Sequence, residues 1–76
     1  MAEIKIGKYR HYKGKMYEVI AVGRNESDLE EVVIYKALYD SPDFGKDAIW
    51  VRTKKNFLEP VIVDDKEVPR FEFVSG

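Results

Sequence analysis

Residues 7–19 read GKYRHYKGKMYEV, a stretch that places three tyrosines, the single histidine and four Lys/Arg within thirteen positions. The Lys13-Gly14 pair near its middle decides how the stretch folds. Glycine enters positive φ without a Cβ penalty, so a tight turn is expected between two aromatic-rich, β-favouring runs. The chain therefore opens with a strand, a turn and a longer strand beginning at Met16.

Beyond this hairpin, GRNESDLEE interrupts the β pattern, and Ser27 followed three residues later by Glu30 matches a capping box with room for one helical turn at most. EVVIYKALY, Glu31 to Tyr39, is the strongest strand signal, β-branched and aromatic and too short for a helix. Its two apolar faces suit a strand curving through a small barrel. The polar, Pro- and Gly-containing loop from Asp40 to Asp47 is expected to be the most mobile interior segment.

AIWVRT supplies a fourth strand, and KKNFLE before Pro60 suits a short 3₁₀ turn. VIVDDKEVPRFEF reads as a final hairpin around Asp64 to Lys66, with Pro69 at an edge or at the start of the last strand. The expectation is an all-β fold: a small SH3-like barrel of five or six short strands with one 3₁₀ turn. Residues 1–76 would form a single β-barrel domain.

The composition narrows the functional classes. With no cysteine, disulfides, thiol catalysis and cysteine-ligated metal or iron-sulfur centres are excluded. No apolar run reaches membrane-spanning length, and MAEIKIGK lacks the apolar core of a signal peptide, so a cytoplasmic protein with no membrane partner is expected. Net charge is −1 but uneven: residues 1–24 balance at +4, residues 25–49 at −5, and the remainder at zero. Folding is expected to interleave these segments and neutralise the field.

His11 is the natural acid-base candidate, yet no motif supplies a nucleophile beside it, and an imidazole packed against Tyr9 or Tyr12, donating to a carbonyl or carboxylate, is the preferred reading. One histidine with scattered carboxylates makes a poor metal set, and Asp64-Asp65 lacks the spacing of a calcium loop. No metal and no cofactor are expected. GKYRHYKGK also lacks the spacing of a phosphate-binding P-loop.

Trp50 and Arg52 lie two apart on a strand, hence on one face. They form either a recognition pair, with Arg52 offering its fork to an anion, or a core tryptophan with Arg52 bridged to Glu18, Glu59 or Glu72. Phe71 and Phe73 alternate as a core face would. Arg70, beside Pro69, either binds a ligand anion or neutralises an acidic neighbour.

The ordered combination of GKYRHYKGKMYEV, VIYKALY, WVR with FLEPV, and VPRFEF resembles a small bacterial family known as a domain of unknown function, number sixteen-fifty-three. The resemblance spans Gly7 to Phe73 and implies a small prokaryotic β domain with no established activity. The sequence departs from that family's pattern at Asn25, where a second histidine is usual, and at Thr53, where proline is usual. It departs again at Asp65 and Lys66, in place of a turn glycine, and in the long Asp40–Asp47 loop.

These readings converge on a recognition module without catalysis. Tyr9, His11, Tyr12, Tyr35, Trp50, Arg52 and Arg70 are the candidate ligand-binding residues, for a peptide segment or a small anionic ligand. The alternative is nucleic-acid binding through the basic, aromatic N-terminal hairpin, against which stands a pI near 5.8.

Overall fold

The computed structural model describes residues 4–76, so the first three positions of the expected 1–76 domain lie outside it. Strand β1 (Gly7–His11) turns into β2 (Met16–Arg24), and β3 (Glu31–Ala37) follows. The short β4 (Asp40–Ser41) and β5 (Gly45–Lys46) come next, then β6 (Ile49–Thr53) and a one-turn helix α1 (Lys54–Leu58). The chain ends with β7 (Val61–Val63), β8 (Lys66–Val68) and β9 (Phe71–Ser75). Among the described residues the fold is all-β apart from α1.

Five strands form one antiparallel sheet in the order β6-β3-β2-β1-β9, while β4-β5 and β7-β8 are separate two-stranded ribbons. The expected barrel is therefore not closed. A barrel needs its two outermost strands to pair, and β6 and β9 each have a single neighbour in the sheet. The radius of gyration, 12.8 Å, exceeds the value of about 11 Å typical of a compact chain of this length, as projecting ribbons would produce.

The first hairpin forms as its glycine implies. The Gly14 amide donates to the His11 carbonyl (2.7 Å), the His11 amide donates to Lys15 (2.8 Å), and Gly14 takes φ +101°. This is a three-residue loop with glycine in the left-handed position. In β7-β8 the two-residue turn falls on Asp64 and Asp65, at φ 50° and 64°, the positive pair that matches the twist of a tight hairpin. The final hairpin expected from the sequence is thus this ribbon alone. The last strand, β9, instead pairs with β1, with His11 opposite Phe71.

Other local readings are corrected. Ser27 and Glu30 do not form a capping box: Asn25 Oδ1 accepts from both the amide and the hydroxyl of Ser27 (3.3 and 3.1 Å), and the segment is a turn. The expected 3₁₀ turn is a five-residue α-helix, capped by Thr53 Oγ1 accepting from the Asn56 amide (3.1 Å). The Asp40–Asp47 loop carries its own ribbon, with Ser41 Oγ accepting from the amides of Asp43 and Phe44.

The core lies on one face of the sheet. Tyr9, Val19, Val33, Tyr35 and Phe71 point inward by strand alternation, and α1 adds Phe57 from above. A bulge at Ile20 shifts the register of β2 against β3 and leaves Ile20 facing solvent. The outer face carries exposed ion pairs, Arg10–Glu72 at 3.9 Å and Lys36–Glu18 at 3.7 Å. At such exposure each pair is worth about 0–1 kcal/mol, and the inner face must supply the stability.

Two glycines separate steric from conformational demand. Gly7, at φ +144°, would place a Cβ 2.4 Å from the Ser75 carbonyl oxygen, whereas Gly14 has open space around it. Gly14→Ala is expected to cost about 1–2 kcal/mol from the left-handed conformation alone. Gly7→Ala should cost more and loosen the β1–β9 pairing, which urea denaturation with amide exchange at Phe73 and Ser75 would reveal. Phe57→Ala, which empties the space above the sheet, should cost about 3 kcal/mol or more in the same assay.

Candidate functional site

His11, Tyr35 and Arg52 meet around the ring of Phe71. That ring stacks on Phe57 (centroids 4.3 Å, planes at 5°) and meets Tyr35 and Tyr17 edge-on at 5.5 and 5.8 Å. The Arg52 guanidinium lies 5.4 Å from its centroid and the His11 ring 5.0 Å. One phenylalanine thus holds an arginine and a histidine on a common aromatic floor.

Strand alternation delivers Arg52 to this place. In β6, Ile49 and Val51 are exposed while Trp50 and Arg52 turn inward, and the pairing sets Trp50 opposite Tyr35 and Arg52 opposite Val33. Arg52 Nε donates to Tyr35 Oη at 2.8 Å. Because the strand becomes helix at Thr53, Asn56 folds back and its Oδ1 accepts from Arg52 Nη1.

Arg52 is consequently bonded to neutral oxygens. Among the described residues it has no carboxylate within ion-pair distance, and the three acids that the salt-bridged alternative offered it are otherwise engaged. Glu18 pairs with Lys36, Glu72 with Arg10, and Glu59 with Arg70. The salt-bridged alternative for Arg52 is not formed, and its charge is held without a counter-ion among the described residues.

His11 packs on Tyr12, with ring centroids 4.5 Å apart. Its Nδ1 accepts from the Lys13 amide (3.2 Å), in place of the expected donation, so the neutral ring carries its proton on Nε2. Burial lowers its pKa below the ordinary 6.5, and the charges of Arg52, Lys13 and Arg70 press it further in the same direction. Arg70, just before β9, bonds Glu59 through Nη2 at 3.4 Å, as the neutralising alternative required. Its Nε is nevertheless buried without an acceptor.

The remaining candidates divide. Tyr9 is core, its ring edge-on to Phe57 and Phe73 and its hydroxyl donating to the Lys5 carbonyl (2.8 Å); burial raises its pKa. Trp50 shares the face of Arg52 and meets Phe44 edge-on at 5.0 Å, with a buried Nε1 that has no partner. Tyr12 sits on the rim, 40% exposed. Sequence reasoning missed Tyr17, Tyr39 and Asn56. Tyr17 lies opposite Tyr9 in the hairpin register, a placement readable from the turn; its hydroxyl shares a 2.7 Å hydrogen bond with that of Tyr39. Burial, then the Tyr39 bond, raises the Tyr17 pKa and keeps the phenol protonated.

Beside His11, a cleft of about 350 Å³ opens between the first hairpin and the β7-β8 ribbon. Tyr12, Val63, Val68 and Pro69 give it apolar walls, and the Arg10 and Glu72 side chains mark its rim. No group of three metal-ligating side chains occurs among the described residues. The cluster is rich in N–H and O–H donors and poor in anionic acceptors.

The depressed His11 pKa has a signed consequence. Between the unfolded value near 6.5 and the lower folded value, the unfolded chain takes up a proton that the folded chain resists. Stability from this group is full above pH 6.5 and falls as pH drops through that window. Tyr12, Tyr17, Phe71, Arg52, Lys13 and Arg70 are the groups that face the ring. The difference in melting temperature between wild type and His11→Gln should therefore shift in favour of the variant on going from pH 7.5 to pH 5, measured by circular dichroism.

A family model described as "Protein of unknown function (DUF1653)" matches residues 7–73. No curated protein matches the chain. Among solved structures, a crystal structure of a protein belonging to DUF1653 from Bordetella bronchiseptica superposes with a TM-score of 0.84 at 30% identity, covering 95% of this chain and 88% of that one. No helix among the described residues is long and apolar enough to cross a membrane. With the family model spanning the first strand to the last and the fold shared with that relative, the chain belongs to the DUF1653 family.

Proposed function

We propose that this protein is a non-catalytic recognition module whose inner-face cluster of Arg52, His11 and Arg70 binds a small oxyanion. The observation that carries this reading is Arg52 itself. A half-buried guanidinium bonded to Tyr35 and Asn56 retains an uncompensated charge, and an oxyanion restores the balance that a carboxylate provides elsewhere in the molecule. The unpartnered Nε of Arg70 supports the same reading.

The alternative, nucleic acid along the first hairpin, has less to support it. Arg10 is paired with Glu72, while Lys13 and Lys15 lie over Tyr12 and Tyr39 at 5.8 and 4.8 Å, covering the rings that bases would stack on. A localised charge with directional donors favours a small ligand over a polyanion.

Titration with sodium phosphate and sodium acetate at constant ionic strength, followed by 1H-15N NMR, tests the proposal. Shifts should centre on the Arg52 Nε–H, His11 and Arg70, and Arg52→Gln should weaken binding about tenfold or more. Uniform small shifts over all basic residues, unchanged in Arg52→Gln, would defeat it.

A further inference from the structure

The sheet has two free edges, and they differ. On β9 the outward side chains include Glu72, bridged to Arg10, and Pro69 stands just before the strand. A charge and a proline so placed keep a second strand from pairing there. The β6 edge carries no such guard. Its outward residues include Ile49, 55% exposed, and Val51, 60% exposed, and its one charge, Arg52, points inward, where Tyr35 and Asn56 of the same chain hold it. The β4-β5 ribbon meets β6 at the inward-facing Trp50, through Phe44, and adds no backbone pairing to it.

Hydrogen bonding to β3 determines which groups the β6 edge offers. The Ala37 amide donates to the Ala48 carbonyl at 2.8 Å, in the register that sets Tyr35 opposite Trp50 and Val33 opposite Arg52. Antiparallel pairing alternates bonded and non-bonded positions, so Trp50 and Arg52 bond to β3. The backbone groups of Ile49 and Val51 and the Thr53 amide are left pointing to the free edge. We infer that β6 pairs antiparallel with β6 of a second copy of this chain, about a two-fold axis at Val51, and joins two sheets into one.

This register uses the whole edge. The two Val51 residues bond to each other, and the Thr53 amide of each copy reaches the Ile49 carbonyl of the other. Moving the axis to Arg52 would set the two Arg52 side chains opposite each other, and moving it to Trp50 would leave Thr53 without a strand partner. With the axis at Val51, Trp50 lies opposite Arg52 of the second copy and no like charges meet. On the outer face Val51 lies opposite Ile34, which lies opposite Ala21 on β2, so the pairing joins two apolar stripes.

Charges at the ends of the strand agree with the same axis. Lys54 is bridged to Glu31 and Lys46 stands opposite Asp40, whereas Asp47 and Lys55 have no ion-pair partner among the described residues. The two-fold axis carries the start of one strand to the end of the other, and so brings Asp47 toward Lys55 of the second copy.

A five-residue edge is small beside the roughly 800 Å² per partner of a standard interface, so the dimer should dissociate on dilution. Analytical ultracentrifugation of the full chain from about 10 µM to about 1 mM should show a monomer–dimer equilibrium. Amide exchange should protect Val51 only at the upper end, while Trp50 and Arg52 stay protected throughout. Val51→Lys, which sets two like charges at the axis, should weaken dimerisation about tenfold or more, whereas Val74→Lys on the guarded edge should not. Melting temperatures check that both variants fold, and the exchange contrast in the wild type reads the register without them. A dimer that survives Val51→Lys, or one that leaves the Val51 amide unprotected, would overturn the inference. A monomer at every concentration would also overturn it, and would leave the edge to an extended segment of another protein.

Discussion

The stack of Phe71 on Phe57 is the contact on which the rest of the molecule depends. It joins the last strand to the one short helix at 4.3 Å, and its free flanks meet Tyr17 from β2, Tyr35 from β3, His11 from β1 and Arg52 from β6. Every strand of the main sheet except β9 itself is therefore tied to β9 through one ring. A small domain hides a limited share of its surface, so a single aromatic that touches each element does what a larger core would do by bulk.

This arrangement explains how an open sheet can still enclose a core. With β6 and β9 unpaired to each other, backbone hydrogen bonding does not close the inner face. Phe57 closes it from the helix side instead, and α1 is able to do so because Thr53 caps it at the very end of β6. The helix is far too short to persist through its own hydrogen bonds, so its existence is a consequence of burying Phe57 at 3% exposure. That same turn brings Asn56 back to Arg52, which makes the site a by-product of the closure.

What the sequence made legible was local. Gly14 and the Asp64-Asp65 pair mark turns by conformational preference alone, and the spacing of Trp50 and Arg52 places both on one face, which the structure turns inward. Non-local pairing was not legible: nothing within VPRFEF says that Phe71 lies opposite His11 sixty residues earlier in the chain. The helix was misread as 3₁₀ because the choice between the two depends on packing of Phe57. The capping box at Ser27 failed because Asn25, two residues ahead, competes for the same hydroxyl and amide. Of the two roles left open for Arg52, the salt-bridged one is not formed, since all three candidate acids lie where other bases reach them first.

The absence of a carboxylate beside Arg52 has an energetic logic. An internal ion pair there would satisfy the guanidinium, but an incoming anion would then have to displace a tethered competitor. Hydrogen bonds to Tyr35 Oη and Asn56 Oδ1, together with the Phe71 ring face, hold the side chain in position while leaving its charge unneutralised. Bonds of this kind to a charged group contribute about 1.5–3 kcal/mol each, enough to fix one geometry in a partly solvated setting. The arginine is thus preorganised by neutral partners, which is the condition that the proposed oxyanion reading requires, since no bond to a competing anion would have to break first.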